Sequence, residues 1–129
     1  RLLYESLKFS TNRIQFGEEV SNFQLIQAMI ADSKAEILAA KSLVLNTAIM
    51  RDNGDIVTLE SSCAKLFSSE ILGKVADRAV QIHGGAGYMA DYPVERLYRD
   101  ARLFRIYEGT SQIQQLIIAR ETIKKFKSL

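Results

Sequence analysis

The sequence predicts an all-α fold: a four-helix up-and-down bundle with one irregular excursion before its last helix. Three observations carry this. Apolar residues recur at helical steps of four and seven along most of the chain. The alternation of β-branched residues that marks strands is missing, and proline occurs once, at Pro93. Two long periodic segments are joined by the short polar run Asp52-Asn53-Gly54-Asp55, so they should lie antiparallel.

Each element has its own signals. Leu2 to about Asn12 reads as a first amphipathic helix with Leu3, Leu7 and Phe9 facing inward, and Gly17 is placed to terminate it. Ser21 with Gln24 has the S-x-x-Q form of a capping box, opening a long helix with a stripe of Ile26, Ile30, Ile37, Val44 and Ala48. Leu25, Met29, Leu38 and Leu45 widen that stripe, which suggests cover on more than one side. After Gly54, Asp55 is a candidate cap for a third helix that keeps Leu59, Cys63, Phe67, Ile71, Val75, Ala79 and Ile82 on one face. Gly84-Gly85-Ala86-Gly87 ends it, and Pro93 starts a short charged helix through Glu95, Arg96, Arg99, Asp100 and Arg102. Ser111 with Gln114 is a second S-x-x-Q, opening a last helix that should bury Ile113, Leu116, Ala119, Ile123 and Phe126.

The bulk numbers narrow the function. A chain of 129 residues is enough for one domain, residues 1–129, with a core of its own. Its apolar fraction of 47% and charged fraction of 25% are ordinary globular values. A formal charge of +2 gives no reason to propose nucleic acid, and the basic tail Lys124, Lys125 and Lys127 reads as a solvated helix face. One cysteine, Cys63, excludes an internal disulfide, and one histidine, His83, argues against a Cys/His metal site. No apolar run approaches the roughly 20 residues of a membrane span, and no signal-like segment is present. Arg1 falls in the middle of a helical pattern, so the sequence is expected to be a piece of a longer chain.

The candidate chemistry lies between Gln81 and Arg120. Gly85-x-Gly87-x-x-Ala90 formally matches a dinucleotide fingerprint, but a helix precedes it where the fingerprint needs a strand, so that reading is rejected. The glycines then mark a helix C-cap or a place where backbone approaches a ligand or another chain. Glu108 is the only carboxylate between Asp100 and Glu121, set among Ile106, Tyr107 and Gly109 just ahead of a helix start. Apolar surroundings would raise its pKa and the helix dipole would lower it. The adjoining helix start offers backbone N–H groups able to polarise a carbonyl. From the residues alone, Glu108 is either a glutamate serving its own helix dipole or a base for abstracting a proton next to a carbonyl.

The blocks Gln81-Ile82-His83-Gly84-Gly85, Asp91-Tyr92-Pro93-Val94-Glu95-Arg96, Tyr98-Arg99-Asp100-Ala101-Arg102 and Ile106-Tyr107-Glu108-Gly109-Thr110-Ser111-Gln112 have an order and spacing that resemble the C-terminal domain of the acyl-CoA dehydrogenases. Asn12-Arg13-Ile14-Gln15-Phe16-Gly17 and Phe23-Gln24-Leu25-Ile26-Gln27 fit the same domain. The resemblance covers nearly the whole chain. It implies FAD as cofactor and an acyl-CoA substrate, with Glu108 as the base that removes a Cα proton while hydride leaves Cβ for the flavin, giving a trans-2-enoyl-CoA. Tyr107 and Gly109 would flank the acyl chain. Thr110 and Gln112 would contact the FAD of the same subunit. Arg13, Gln15, Phe16, Phe23 and Gln81 with Gly84 and Gly85 would reach the FAD of a neighbouring subunit, where the arginine suits a pyrophosphate and the glycines admit backbone N–H groups.

The resemblance further implies a packing or hydrogen-bonding role for His83, and ion pairs of Arg99, Asp100 and Arg102 that fix the excursion before Glu108. It implies a homo-oligomer (dimer or tetramer), an electron-transfer flavoprotein as acceptor, and a location in the cytoplasm or, in a eukaryote, the mitochondrial matrix. The family's N-terminal helical and middle β domains are not in this sequence, so the piece alone is expected to be inactive or nearly so. Two alternatives stay open: a non-catalytic helical interaction module, and an acyl-CoA oxidase-type flavoenzyme of the same fold.

Overall fold

The computed structural model describes residues 1–128. In chain order they form α1 (Leu2–Ser10), β1 (Ile14–Gln15), β2 (Glu18–Glu19), α2 (Gln24–Asp52), α3 (Thr58–His83), α4 (Pro93–Leu103) and α5 (Ser111–Lys127), with short 3-10 turns at Val20–Asn22 and Gly84–Tyr88. The fold is all-α apart from a small hairpin pairing Ile14 with Glu19 and Gln15 with Glu18. Its two-residue loop, Phe16-Gly17, has both residues at positive φ (54° and 84°), the geometry of a type I′ turn. Gly17 therefore shapes this hairpin and does not terminate α1, which ends at Ser10.

α3 is the central element and packs against α1, α2, α4 and α5. Arg78 of α3 pairs with Glu36 of α2, while Val44 and Arg51 share a groove with Ala64 and Val57, so α2 and α3 run antiparallel. Phe9 stacks on His83 and Leu2 lies near Ile71, which sets α1 parallel to α3. Ser111 meets Glu70 while Lys124 lies near Thr58, so α5 is antiparallel to α3. This is the up-down-up-down order expected. Pro93 opens α4, as its fixed φ and missing N–H allow. Gly54, at φ +91°, makes the turn between the long helices.

The core gathers on the second half of α3: Ile71, Val75, Ala76 and Ala79 pack with Leu2, Val94 and Ala101. Burying a valine such as Val94 completely contributes about 1.5–3 kcal/mol. Much of the remaining helix contact is made by small hydroxyl residues. Ser6, Ser33 and Thr47 are buried, and each hydroxyl donates to a carbonyl one turn back in its own helix. A hydroxyl satisfied this way can be buried at little cost and lets helices approach closely.

That choice overturns several of the expected faces. On α1 the buried residues are Leu2, Glu5, Ser6 and Ser10, whereas Leu3 and Phe9 are half-buried and Leu7 points outward. On α2 the upper stripe (Ile26, Ile30, Ile37) is half-buried, but Leu25, Leu38, Val44, Leu45 and Ala48 are exposed. Phe67 of α3 is exposed too. On α5 the expected stripe of Ile113, Leu116, Ala119, Ile123 and Phe126 faces solvent, and Ser111 and Gln114 are buried in its place.

The helix starts are also displaced. Phe23 precedes α2 with no side-chain cap, and the Ser21 hydroxyl donates to Glu19 instead. Val57, not Asp55, stands at the cap position of α3 and offers no side-chain acceptor. α5 is capped by Thr110, whose Oγ1 accepts from the Ile113 N–H. Lys124, Lys125 and Lys127 are exposed, as expected of a solvated face. Among the described residues no helix is long and apolar enough to cross a membrane.

Candidate functional site

Between α4 and α5 the chain makes a compact turn through Phe104 to Thr110. The last turn of α4 unwinds with the Ile106 and Tyr107 N–H groups both donating to Leu103 O. Ser111 N–H then reaches back to Arg105 O and closes the loop. Glu108 sits at its apex with φ +53°, a left-handed conformation uncommon for a residue with a side chain, followed by Gly109 at φ +84°. The Glu108 side chain is exposed, and its N–H finds no acceptor among the described residues. Tyr107 packs edge-on against Phe104, with centroids 5.3 Å apart.

Side chains from α3 and α5 hold this turn from beneath. Lys65 Nζ donates to Phe104 O (2.9 Å) and to Gly109 O (2.6 Å). Gln114 Nε2 donates to Glu108 O at 3.3 Å. A Cβ on Gly109 would lie 2.7 Å from that same Nε2, so the glycine is required by close approach as well as by φ. Glu70 accepts from the Ser111 hydroxyl (2.7 Å) and from Arg105 Nη1 (3.1 Å). The Ser111 bond, helped by the Arg105 guanidinium, holds the Glu70 carboxyl below its usual pKa despite the opposing effect of burial. The guanidinium lies over Gly73, where a Cβ would be 3.5 Å from Cζ.

The excursion is therefore tied down by Arg105, not by the residues expected. Arg99 pairs only with Glu95 on its own helix, and neither Asp100 nor Arg102 makes an ion pair among the described residues. An apolar groove of about 770 Å³ between α2 and α3 shares Lys65 and Phe104 with this turn, but neither Glu108 nor Tyr107 lines it.

The other candidate residues form a second group at the far end of α3. Arg13 is exposed and without an ion pair among the described residues; it borders a pocket with Phe9, His83 and Tyr92. The Gln15 side chain donates to its neighbour's carbonyl, Ile14 O, and has no other partner among the described residues. Phe16 is 94% exposed at the hairpin tip, edge-on to Phe23 at 6.3 Å. Gln81, Gly84 and Gly85 are exposed where α3 ends, and nothing lies within 4 Å of where a Cβ would stand on either glycine. At 1.5 Å per residue, Lys65 and Gln81 are about 24 Å apart along the helix. One monomer thus presents two separate groups, one around Glu108 with Tyr107, Gly109, Thr110 and Gln112, the other around Arg13.

His83 behaves as a structural residue. It is buried, its Nδ1–H donates to Ala79 O at 2.7 Å, and its ring stacks on Phe9 at 4.3 Å. Burial pushes its pKa down, against the Ala79 bond and the nearby Glu5 charge.

The sequence pattern described as "Acyl-CoA dehydrogenase, C-terminal domain" matches residues 1–123. The chain belongs to this family. Among its relatives is the caffeyl-CoA reductase-Etf complex subunit CarC of Acetobacterium woodii, 50% identical over 95% of this chain and 32% of that protein. The butyryl-CoA dehydrogenase of Megasphaera elsdenii superposes with a TM-score of 0.92 at 37% identity, over 95% of this chain and 32% of that one. A solved FAD complex of PigA superposes at 0.90 with 29% identity, over 95% of this chain and 32% of that one. The chain therefore spans about a third of the length of these proteins.

The family's flavin finds chemically suitable groups here. Arg13 offers a cation without an ion pair among the described residues, Gly84 and Gly85 offer open backbone, and Phe16 offers an uncovered aromatic face. The residues that hold the Glu108 turn, namely Lys65, Glu70, Arg105 and Gln114, escaped the sequence reading. Ser111 and Gln114 were visible only as a cap pattern, and nothing local links Lys65 to carbonyls about 40 residues away.

Proposed function

We propose that this chain forms the C-terminal domain of an FAD-dependent acyl-CoA dehydrogenase in which Glu108 is the base. The supporting observation is the Glu108 turn, a carboxylate on a left-handed backbone, exposed and pinned from below, with its own N–H lacking an acceptor among the described residues. The Glu108 carboxylate takes the Cα proton of the acyl thioester, and the Glu108 N–H donates to the thioester carbonyl as negative charge develops on it. FAD, when bound, supplies the hydride acceptor for the Cβ hydrogen. Loss of the Cα proton to Glu108 and of the Cβ hydride to the flavin would leave a trans-2-enoyl-CoA. Thr110 and Gln112 serve the FAD of the same subunit; Arg13, Gln15, Phe16, Phe23, Gln81, Gly84 and Gly85 serve that of a neighbour.

Lys65 beneath the first group and Gln81 in the second stand about 24 Å apart along α3, which supports contacts to different flavins within a homo-oligomer. The exposed apolar faces of α2 and α5, including Leu25, Leu116 and Phe126, fit further contacts with subunits or domains. An electron-transfer flavoprotein is the proposed acceptor, a reading supported by the CarC relative being a subunit of a caffeyl-CoA reductase-Etf complex.

That same relative favours a second reading, in which the reaction runs as enoyl-CoA reduction. Protonated Glu108 would then return a proton to Cα while hydride arrives at Cβ, by microscopic reversibility. The test is Glu108→Gln in the complete protein, assayed in both directions with α-proton exchange followed in parallel. Loss of turnover and exchange is expected. Near-normal exchange would remove Glu108 as the base, and absence of flavin binding would favour a non-catalytic helical module.

A further inference from the structure

We infer that Lys65 is the positioning residue of the Glu108 turn, acting through backbone carbonyls and not through the carboxylate. The inference rests on the proposed role of Glu108 as base. Lys65 projects from the first half of α3, which packs against every other α-helix of the chain. Its ammonium has no carboxylate within 4.0 Å among the described residues, although its neighbours on α3 and α2 make several such pairs. It uses its charge on two carbonyls, Phe104 O and Gly109 O. A lysine that only capped the C-terminal end of α4 would need the first bond alone. The shorter bond, 2.6 Å to Gly109 O, reaches past the apex of the turn and clamps both of its sides to one helix.

The clamp has a consequence for the backbone that carries Glu108. Every peptide here is trans, so a carbonyl turned toward α3 or α5 sends the N–H of the following residue the opposite way. With Glu108 O on Gln114 and Gly109 O on Lys65, the Gly109 and Thr110 N–H groups face away from the two helices, and neither has an acceptor among the described residues. The left-handed Glu108 is costly for an L-residue and persists only where its surroundings enforce it. Lys65 and Gln114 are the groups that enforce it. Releasing the clamp lets φ of Glu108 relax, and a carboxylate displaced by about 1 Å loses on the order of 100-fold in rate.

The experiment compares Lys65→Met, Lys65→Arg and Glu108→Gln in the complete flavin-loaded protein. Met keeps the apolar stem and removes the cation; Arg keeps a cation with several donors. Lys65→Met is expected to lower kcat about 10- to 100-fold, with KM within about threefold and a larger substrate α-deuterium isotope effect. Independently of turnover, backbone amide exchange at Ile106, Tyr107 and Ser111 should quicken about tenfold or more, and Val75 and Ala79 should not change. Lys65→Arg should recover most of both losses. A Lys65→Met protein with wild-type kcat and unchanged exchange, beside an inactive Glu108→Gln, would overturn the positioning role alone. An active Glu108→Gln would overturn the reading on which it rests. Should Lys65→Met fail to fold, Lys65→Gln carries the same comparison.

Discussion

Gly109→Ala tests the geometry of the turn directly, because Gly54 provides an internal control. Both glycines have positive φ, +84° at Gly109 and +91° at Gly54. An alanine at either must adopt a left-handed backbone, at a cost of about 1–2 kcal/mol. Gly54 has open space where its Cβ would go, so Gly54→Ala should cost that much and no more. At Gly109 the new Cβ would stand 2.7 Å from Gln114 Nε2, closer than two such atoms can come. Gln114 can swing away, since the clash is with the end of a flexible side chain. Doing so breaks its bond to Glu108 O, which adds about 0.5–1.5 kcal/mol.

The expected difference between the two variants is therefore about 1 kcal/mol, with Gly109→Ala the worse. Equilibrium urea unfolding followed by far-ultraviolet circular dichroism measures it, as a shift in midpoint at constant slope. The activity arm separates the two more sharply. Gly54→Ala should leave kcat alone, whereas Gly109→Ala should lower it at least tenfold, because the Glu108 carbonyl loses its anchor. Equal stability costs and equal activities would refute the claim that Gln114 and Gly109 are matched to hold Glu108.

Other consequences can be checked on the same footing. Arg78→Met removes a part-buried guanidinium from Glu36 and should destabilise by about 1.5–3 kcal/mol, with a double-mutant cycle against Glu36→Gln assigning most of it to the pair. Thr110→Ala deletes the cap of α5 and should cost about 1 kcal/mol, read by thermal unfolding. His83 has a pKa below its ordinary 6.5, so between the two values the unfolded chain binds a proton that the folded chain does not. Stability should be complete above about pH 6.5 and fall as pH drops toward the folded value, and His83→Gln should flatten that slope. Glu70, held below 4.5 by Ser111 and Arg105, contributes above that value and loses its share on further acidification, an effect softened by its partial exposure and missing in Glu70→Gln.

The parts of the fold legible in the sequence were those with a local cause. Asp52-Asn53-Gly54-Asp55 is a turn by chemistry, Pro93 opens α4 by its ring, and the long periodic runs are helices whichever face they bury. The faces themselves were misread because hydrophobicity alone does not say what is inside. Here Ser6, Ser33, Thr47 and Ser69 lie at helix contacts with their hydroxyls satisfied by their own helices. Leu116, Ile123 and Phe126 remain outside in the single chain. A period of 3.6 residues fixes an angle but not its sign, so a small-polar stripe and a large-apolar stripe compete for the same core.

The site shows a different limit. Tyr107, Glu108, Gly109 and Thr110 are neighbours in sequence and share one turn, with Gln112 just beyond it in the first turn of α5. What gives Glu108 its conformation is remote: a lysine about 40 residues earlier, and a glutamine that local pattern assigns to a cap. The hairpin repeats the same device, since Phe16-Gly17 and Glu108-Gly109 are both left-handed pairs with φ near +54° and +84°. In each, a glycine completes a tight turn that its neighbour's side chain could not make alone, and that side chain is thrust outward, 94% exposed at Phe16. The Phe16 turn is closed by its own two strands, so it needs no clamp from elsewhere. The Glu108 turn has no ladder; beyond the Ser111 N–H on Arg105 O, it is held among the described residues by Lys65 and Gln114 on its carbonyls and Glu70 on its flanks. A substitution at any of these three should therefore be felt at Glu108 before it is felt in the core, whereas an equivalent change beside Phe16 should stay local.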